Sequence, residues 1–157
     1  MSEADKVLRR EVVALLEKGQ AHVTVEYALE GLEPHLRAVR PPEQHSVWEV
    51  LEHMRIAQHD IIRYTLDPDY NSPPWPKGYW PDLPDTLNEA QWRDTVDGFY
   101  RGRDEAISLA HNTDIVLTDE IPYGEGRTYL RQLLLVADHN AYHLGQIVTA
   151  RRALASW

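Results

Sequence analysis

The chain has 157 residues, no cysteine and a net charge of −9, which excludes disulfides, thiolate metal ligands and a cysteine nucleophile. With 25 acidic against 16 basic side chains and no basic stripe, it is a poor partner for a phosphate backbone. Its apolar residues form no long run, so no membrane span is expected, and the length suits one domain over residues 1–157.

Met1 to Lys6 lack the basic-then-apolar pattern of a signal peptide, so a cytoplasmic location is expected. From about Asp5 to Gly31 the sequence reads as a first helix. Leu8, Val12, Leu15, Val23, Tyr27 and Leu32 recur at near-helical spacing, with Gly19 as an interruption. Pro34, Pro41 and Pro42 then break the pattern, giving a connection that holds His35 and His45.

Ser46-Val47-Trp48-Glu49 is a capping box, and the helix it opens runs to about Leu66. Val50, His53, Ala57, Ile61 and Tyr64 form one stripe, so His53 is an imidazole at a core position. His59 lies six residues on, about 120° away around the helix, and should point off that stripe.

Residues 67–85 hold six of the ten prolines, with Tyr70, Trp75, Tyr79 and Trp80 among them. That proline density forbids a helix or regular strand, and the aromatic content argues for an ordered loop packed on the helices. Lying directly after the helix of His53, the loop is long enough to cover the mouth of a site there. Trp75 and Trp80 are its candidate substrate contacts, against the plainer reading of loop anchors.

Thr86-Leu87-Asn88-Glu89 is a second capping box, and its helix carries Trp92, Val96, Phe99, Ile107 and Leu109 before fading near Asn112. Residues 113–127 form a connection, with an extended piece at Ile115 to Leu117 and a turn at Tyr123 to Gly126. The last helix runs from about Thr128 to Ala153. Four helices and two long connections give an all-α four-helix bundle.

The last helix contains Asp138-His139-Asn140-Ala141-Tyr142-His143-Leu144-Gly145-Gln146. His139 and His143 lie one turn apart, about 40° around the helix, a spacing that lets two imidazoles bind one ion. Val136, Ile147, Ala150 and Leu154 continue their stripe. A buried imidazole costs free energy unless it is bonded or ligated, so two core positions given to histidine need a reason. In a bundle, His53 can converge with this pair to make a three-histidine site with an open position, of the kind catalytic metals use. The donor set suits one divalent ion, Zn, Ni or Fe. Position 140 is Asn, which cannot be the general base of a His-Glu-x-x-His metalloprotease. His22, His35, His45, His59 and His111 read as loop, surface or hydrogen-bonded core residues; His22 stays open, since the first helix can also face the site. Glu49 and Asp138 read as helix-surface charges, and Gly145 as a residue that permits close helix packing.

Leu51-Glu52-His53-Met54, followed by Leu134 to Gln146 with its His-x-x-x-His-x-Gly-Gln ending, resembles the DinB-like superfamily, which includes the YfiT-type proteins. The resemblance covers helix order, the long second connection and the terminal motif. It implies a four-helix bundle with a divalent metal on His53, His139 and His143, and frequent homodimers. It implies thiol chemistry of the bacillithiol- and mycothiol-dependent kind. Where many relatives carry Glu or Asp beside the first histidine of the terminal motif, this chain has Asn140. The leading expectation is therefore a metal-dependent S-transferase that joins a small thiol to an electrophile. Alternatives are a hydrolase using metal-activated water and a non-enzymatic metal-binding or interaction bundle.

Overall fold

The computed structural model describes residues 1–157 and is all-helical. Its helices are α1 (Glu3–Glu17), α2 (Val25–Leu29), α3 (Val47–Leu66), α4 (Glu89–His111) and α5 (Tyr129–Ala153). The four longer ones form the bundle, α3 packing against both α4 and α5, and α1 covering α4 and α5. No helix is long and apolar enough to cross a membrane.

The first element is two helices rather than one. Lys18 leaves the helix in an extended conformation, and the chain turns tightly at Gly19. A Cβ there would lie 2.3 Å from the His22 carbonyl oxygen, so only glycine fits. Thr24 then caps α2, accepting from the Tyr27 amide at 3.2 Å.

The capping box at Ser46 and Glu49 forms as the sequence predicts. Glu49 is not a surface charge, however. It is buried, its carboxylate accepting from the Ser46 amide and hydroxyl and from the Arg40 guanidinium. Burial pushes its pKa up, but these hydrogen bonds and one from His45 outweigh burial and hold it at about 2.

Helix α4 starts two residues later than Thr86 suggests. Asn88 is the cap, accepting from the Gln91 amide at 2.9 Å, while Gln91 accepts from the Asn88 amide at 3.1 Å. Both four-residue frames satisfy the pattern, and the later one is used. The piece at Ile115 to Leu117 is not a strand; that connection has a single antiparallel bridge, Glu120 to Thr128, and is pinned by buried Leu117 and Ile121. The turn at Tyr123 to Gly126 is present.

The core is in two parts. One gathers Val50, Leu51 and Met54 of α3 with Phe99 of α4 and Leu144, Ile147 and Ala150 of α5. The other gathers Ile61 and Ile62 of α3 with Ala106 and Leu109 of α4, Leu133 and Val136 of α5, and Val12 and Leu16 of α1. Between them the α3–α5 joint is polar. Gln58 donates to the Phe99 carbonyl at 2.8 Å and accepts from Asn140 at 2.8 Å. A Cβ at Gly102 would lie 2.5 Å from the Gln58 amide nitrogen, so this glycine admits the side chain. Gly145, in contrast, faces open space and does not mediate helix packing.

Candidate metal centre

His53 reaches this polar joint from α3, and His139 and His143 reach it from α5. The His53 Nε2 lies 3.1 Å from the His143 Nε2 and 3.2 Å from the His139 Nε2. One ligand atom from each ring falls within 4.8 Å of the others. His59 is exposed, with its ring edge-on to Tyr70, and stands apart from the cluster as its helical phase predicts. His22, His35 and His111 are also outside it.

The hydrogen bonds on the far side of two rings settle which nitrogen carries the proton. His53 Nδ1 lies 2.7 Å from the Tyr79 carbonyl oxygen, which can only accept. His143 Nδ1 lies 2.7 Å from Gln146 Oε1, also an acceptor. Both rings therefore carry Nδ1–H when neutral, and their Nε2 lone pairs face each other at 3.1 Å. Two lone pairs at that distance repel, and a cation between them would relieve the repulsion. An ion held tetrahedrally at about 2.0–2.1 Å would set its nitrogens roughly 3.3–3.4 Å apart. The separations of the His53 nitrogen from those of His143 and His139, 3.1 and 3.2 Å, lie close to that spacing. His139 lacks an outer restraint: its Nδ1 is buried without a partner.

All three imidazoles are held neutral. Burial lowers the His139 pKa to about 3, helped by the positive charge that His143 and His53 would carry if protonated. Burial also lowers His53 against the opposing pull of the Tyr79 carbonyl, and lowers His143 against that of Gln146.

The proline-rich loop lies against this cluster. The Trp80 ring is stacked between two imidazoles, 4.0 Å from His53 and 4.1 Å from His45. Tyr79, in a short 3-10 turn at Lys77–Tyr79, supplies its carbonyl to His53 and donates its hydroxyl to Asp60 Oδ2 at 2.8 Å. Trp75 is exposed, its ring centroid 5.4 Å from that of Tyr79. Together they wall a pocket of about 440 Å³ that opens onto His53, His139 and His143. Asn140 turns away from this pocket, towards Gln58, so it supplies neither an acid nor a base there.

Sequence reasoning placed His45 among ordinary loop residues and did not single out Asp60 or Gln146. Asp60 follows His53 by seven residues, two full turns, so helical phase alone puts both on one face. Gln146 sits one turn beyond His143 in the same way. Nothing local announces that His45 stacks on a tryptophan 35 residues further along the chain.

The chain matches the DinB superfamily over residues 14–147. No curated protein and no solved structure matches it.

Proposed function

This chain belongs to the DinB superfamily, and from that premise and its facing imidazoles we propose that it is a divalent-metal-dependent S-transferase joining a small thiol to an electrophile. The observation that carries the reading is the pair of outer hydrogen bonds, from His53 to Tyr79 and from His143 to Gln146, which turn two Nε2 lone pairs towards one point. His53, His139 and His143 are the residues that would hold the ion, as Zn, Ni or Fe. When bound, a divalent cation supplies the positive charge that keeps a thiol in its thiolate form near neutral pH.

The protein's own residues do the rest. Having no cysteine, it must take its sulfur from the substrate. Trp80 covers one face of His53 and keeps water from it. Ala57, Ile61 and Leu135 give the pocket apolar walls, which strengthen any charge interaction inside. Trp75 stands at the pocket wall as a contact for the electrophile. Thiols stay reduced in the cytoplasm, which suits such a substrate and is the location we propose. A homodimer is the assembly the family resemblance implies, and sedimentation of the metal-loaded protein tests it.

Cobalt substitution tests the function. Adding bacillithiol, mycothiol or a simple thiol should produce a sulfur-to-cobalt charge-transfer band, and the loaded enzyme should consume the thiol together with an epoxide or a haloaromatic. A spectrum that no thiol perturbs, with turnover of esters or amides instead, assigns the site to hydrolysis. Loss of the fold on metal removal, with no turnover in the loaded protein, assigns it to a structural role.

A further inference from the structure

Tyr79 meets α3 at two places. Its backbone carbonyl accepts from His53 Nδ1 at 2.7 Å, and its hydroxyl donates to Asp60 Oδ2 at 2.8 Å. Asp60 follows His53 by two turns, so both lie on one face of α3, about 10 Å apart along its axis. One loop residue thus spans two turns of the helix. Its backbone end is tied to a member of the imidazole cluster and its side-chain end to a carboxylate.

A carbonyl can orient an imidazole only if it is itself held in place. The backbone bonds of this turn do not hold it to α3. The Gly78 amide donates to the Pro74 carbonyl at 2.7 Å and the Tyr79 amide to the Pro76 carbonyl at 3.1 Å, both within the loop. The Trp80 stack grips the face of His53, but a stack tolerates sliding in the ring plane. A hydrogen bond from a phenol to a carboxylate is directional and charge-assisted, so it fixes a point. Asp60 joins none of the ion pairs of the protein. Its side chain instead serves the loop: it accepts from Tyr79, and burial together with the facing Asp60 carboxylate raises the pKa of the Tyr70 phenol.

Resting on the reading that His53 belongs to a metal-binding cluster, we propose that Asp60 is a positioning residue for His53. By holding the Tyr79 hydroxyl it sets the Tyr79 carbonyl, which keeps the proton on His53 Nδ1 and turns Nε2 towards His139 and His143. Asp60 acts through Tyr79 and not through its charge.

Proton–nitrogen correlation spectra of the histidine side chains, taken on metal-free protein at neutral pH, read this without any ion. In wild type His53 should be the Nδ1–H tautomer. Tyr79→Phe, which removes only the hydroxyl, and Asp60→Ala should each move it towards the Nε2–H tautomer that free imidazole side chains prefer. Asp60→Asn keeps an acceptor for the hydroxyl and should not. Zinc affinity, by competition with a chromophoric chelator, reads the consequence. Tyr79→Phe and Asp60→Ala should each lose about tenfold, and the double variant no more than Asp60→Ala alone, since both break one bond. Asp60→Asn should stay near wild type.

An Nε2–H ring in wild type, or a tautomer that neither Tyr79→Phe nor Asp60→Ala changes, overturns the proposal. So does a lower melting temperature with unchanged zinc affinity, the mark of a loop anchor alone. Asp60→Asn as weak as Asp60→Ala also overturns it, because the carboxylate would then attract the ion by its charge. If the tautomer responds while wild type binds no zinc, Asp60 still positions His53 and the metal reading falls. Tyr79→Phe, a change within the loop, decides the matter even if Asp60→Ala fails to fold.

Discussion

The indole of Trp80 lies parallel to the imidazole of His53, with ring centroids 4.0 Å apart and planes within 1°. The neighbouring Tyr79 carbonyl accepts from the same imidazole. One short stretch of the proline-rich loop therefore holds a ring of the cluster both on its face and at its far nitrogen.

Removing a ligand should remove the ion. His53→Ala, His139→Ala and His143→Ala are each expected to lose stoichiometric metal, measured by elemental analysis of protein purified without a metal-affinity tag. His59→Ala should keep it. Full metal content in His139→Ala or His143→Ala would mean that the cluster is not the binding site.

The outer acceptors should matter as well. Gln146→Leu deletes the acceptor that fixes the proton on His143 Nδ1. Metal affinity is expected to fall about 10–100-fold, with little change in the melting temperature of the metal-free protein. A competition titration against a chromophoric chelator reads this directly, and an unchanged affinity would show that Gln146 does not orient the ring.

Acid should act in two stages. The folded-state pKa values of His53, His139 and His143 lie below the ordinary value near 6.5, that of His139 at about 3. Below about pH 6.5 the unfolded chain takes up protons that the folded chain refuses, so the stability of the metal-free protein should fall as pH drops through this value. Metal should leave below about pH 6, since ligation needs neutral rings. Glu49, held at about 2, adds a second loss as pH falls from about 4.5 towards 2. Urea midpoints across this range check both stages, and a midpoint flat from about pH 7 to pH 5 contradicts buried neutral imidazoles.

Glu49→Gln isolates the second stage. It keeps an acceptor for the Ser46 amide but loses the charged bonds to Arg40. A cost of about 1–3 kcal/mol is expected in denaturant unfolding, with metal content unchanged. Loss of metal in this variant would mean that the capping box and the cluster are coupled.

The helices and the convergence of His53 with His139 and His143 were legible because both follow from period. A stripe of apolar side chains reveals a helix, and a histidine within the stripe reveals an inward imidazole. Failures came where period is silent. Gly19 looked like a weak point in one helix, but its local crowding makes a turn. Glu49 looked exposed because nothing in its own helix foretells Arg40 folding back over it. Gly145 suggested a close neighbour that the bundle does not place there. The loop from 67 to 85 could be recognised as ordered from its composition, but which ring it would cover depends on tertiary packing.

The two nitrogens that face each other across the α3–α5 joint belong to His53 and His143, 90 residues apart in sequence. An ion shared by them would act as a removable cross-link, closing one long loop that contains α4 while leaving α1 and α2 outside it. Such a link resists separation of α3 from α5 and does nothing to hold α1. Amide exchange should therefore slow along α3 and α5 when metal is added, with α1 opening as freely as before. In mechanical terms the protein has one seam that metal can lock, and that seam is also the wall of its pocket.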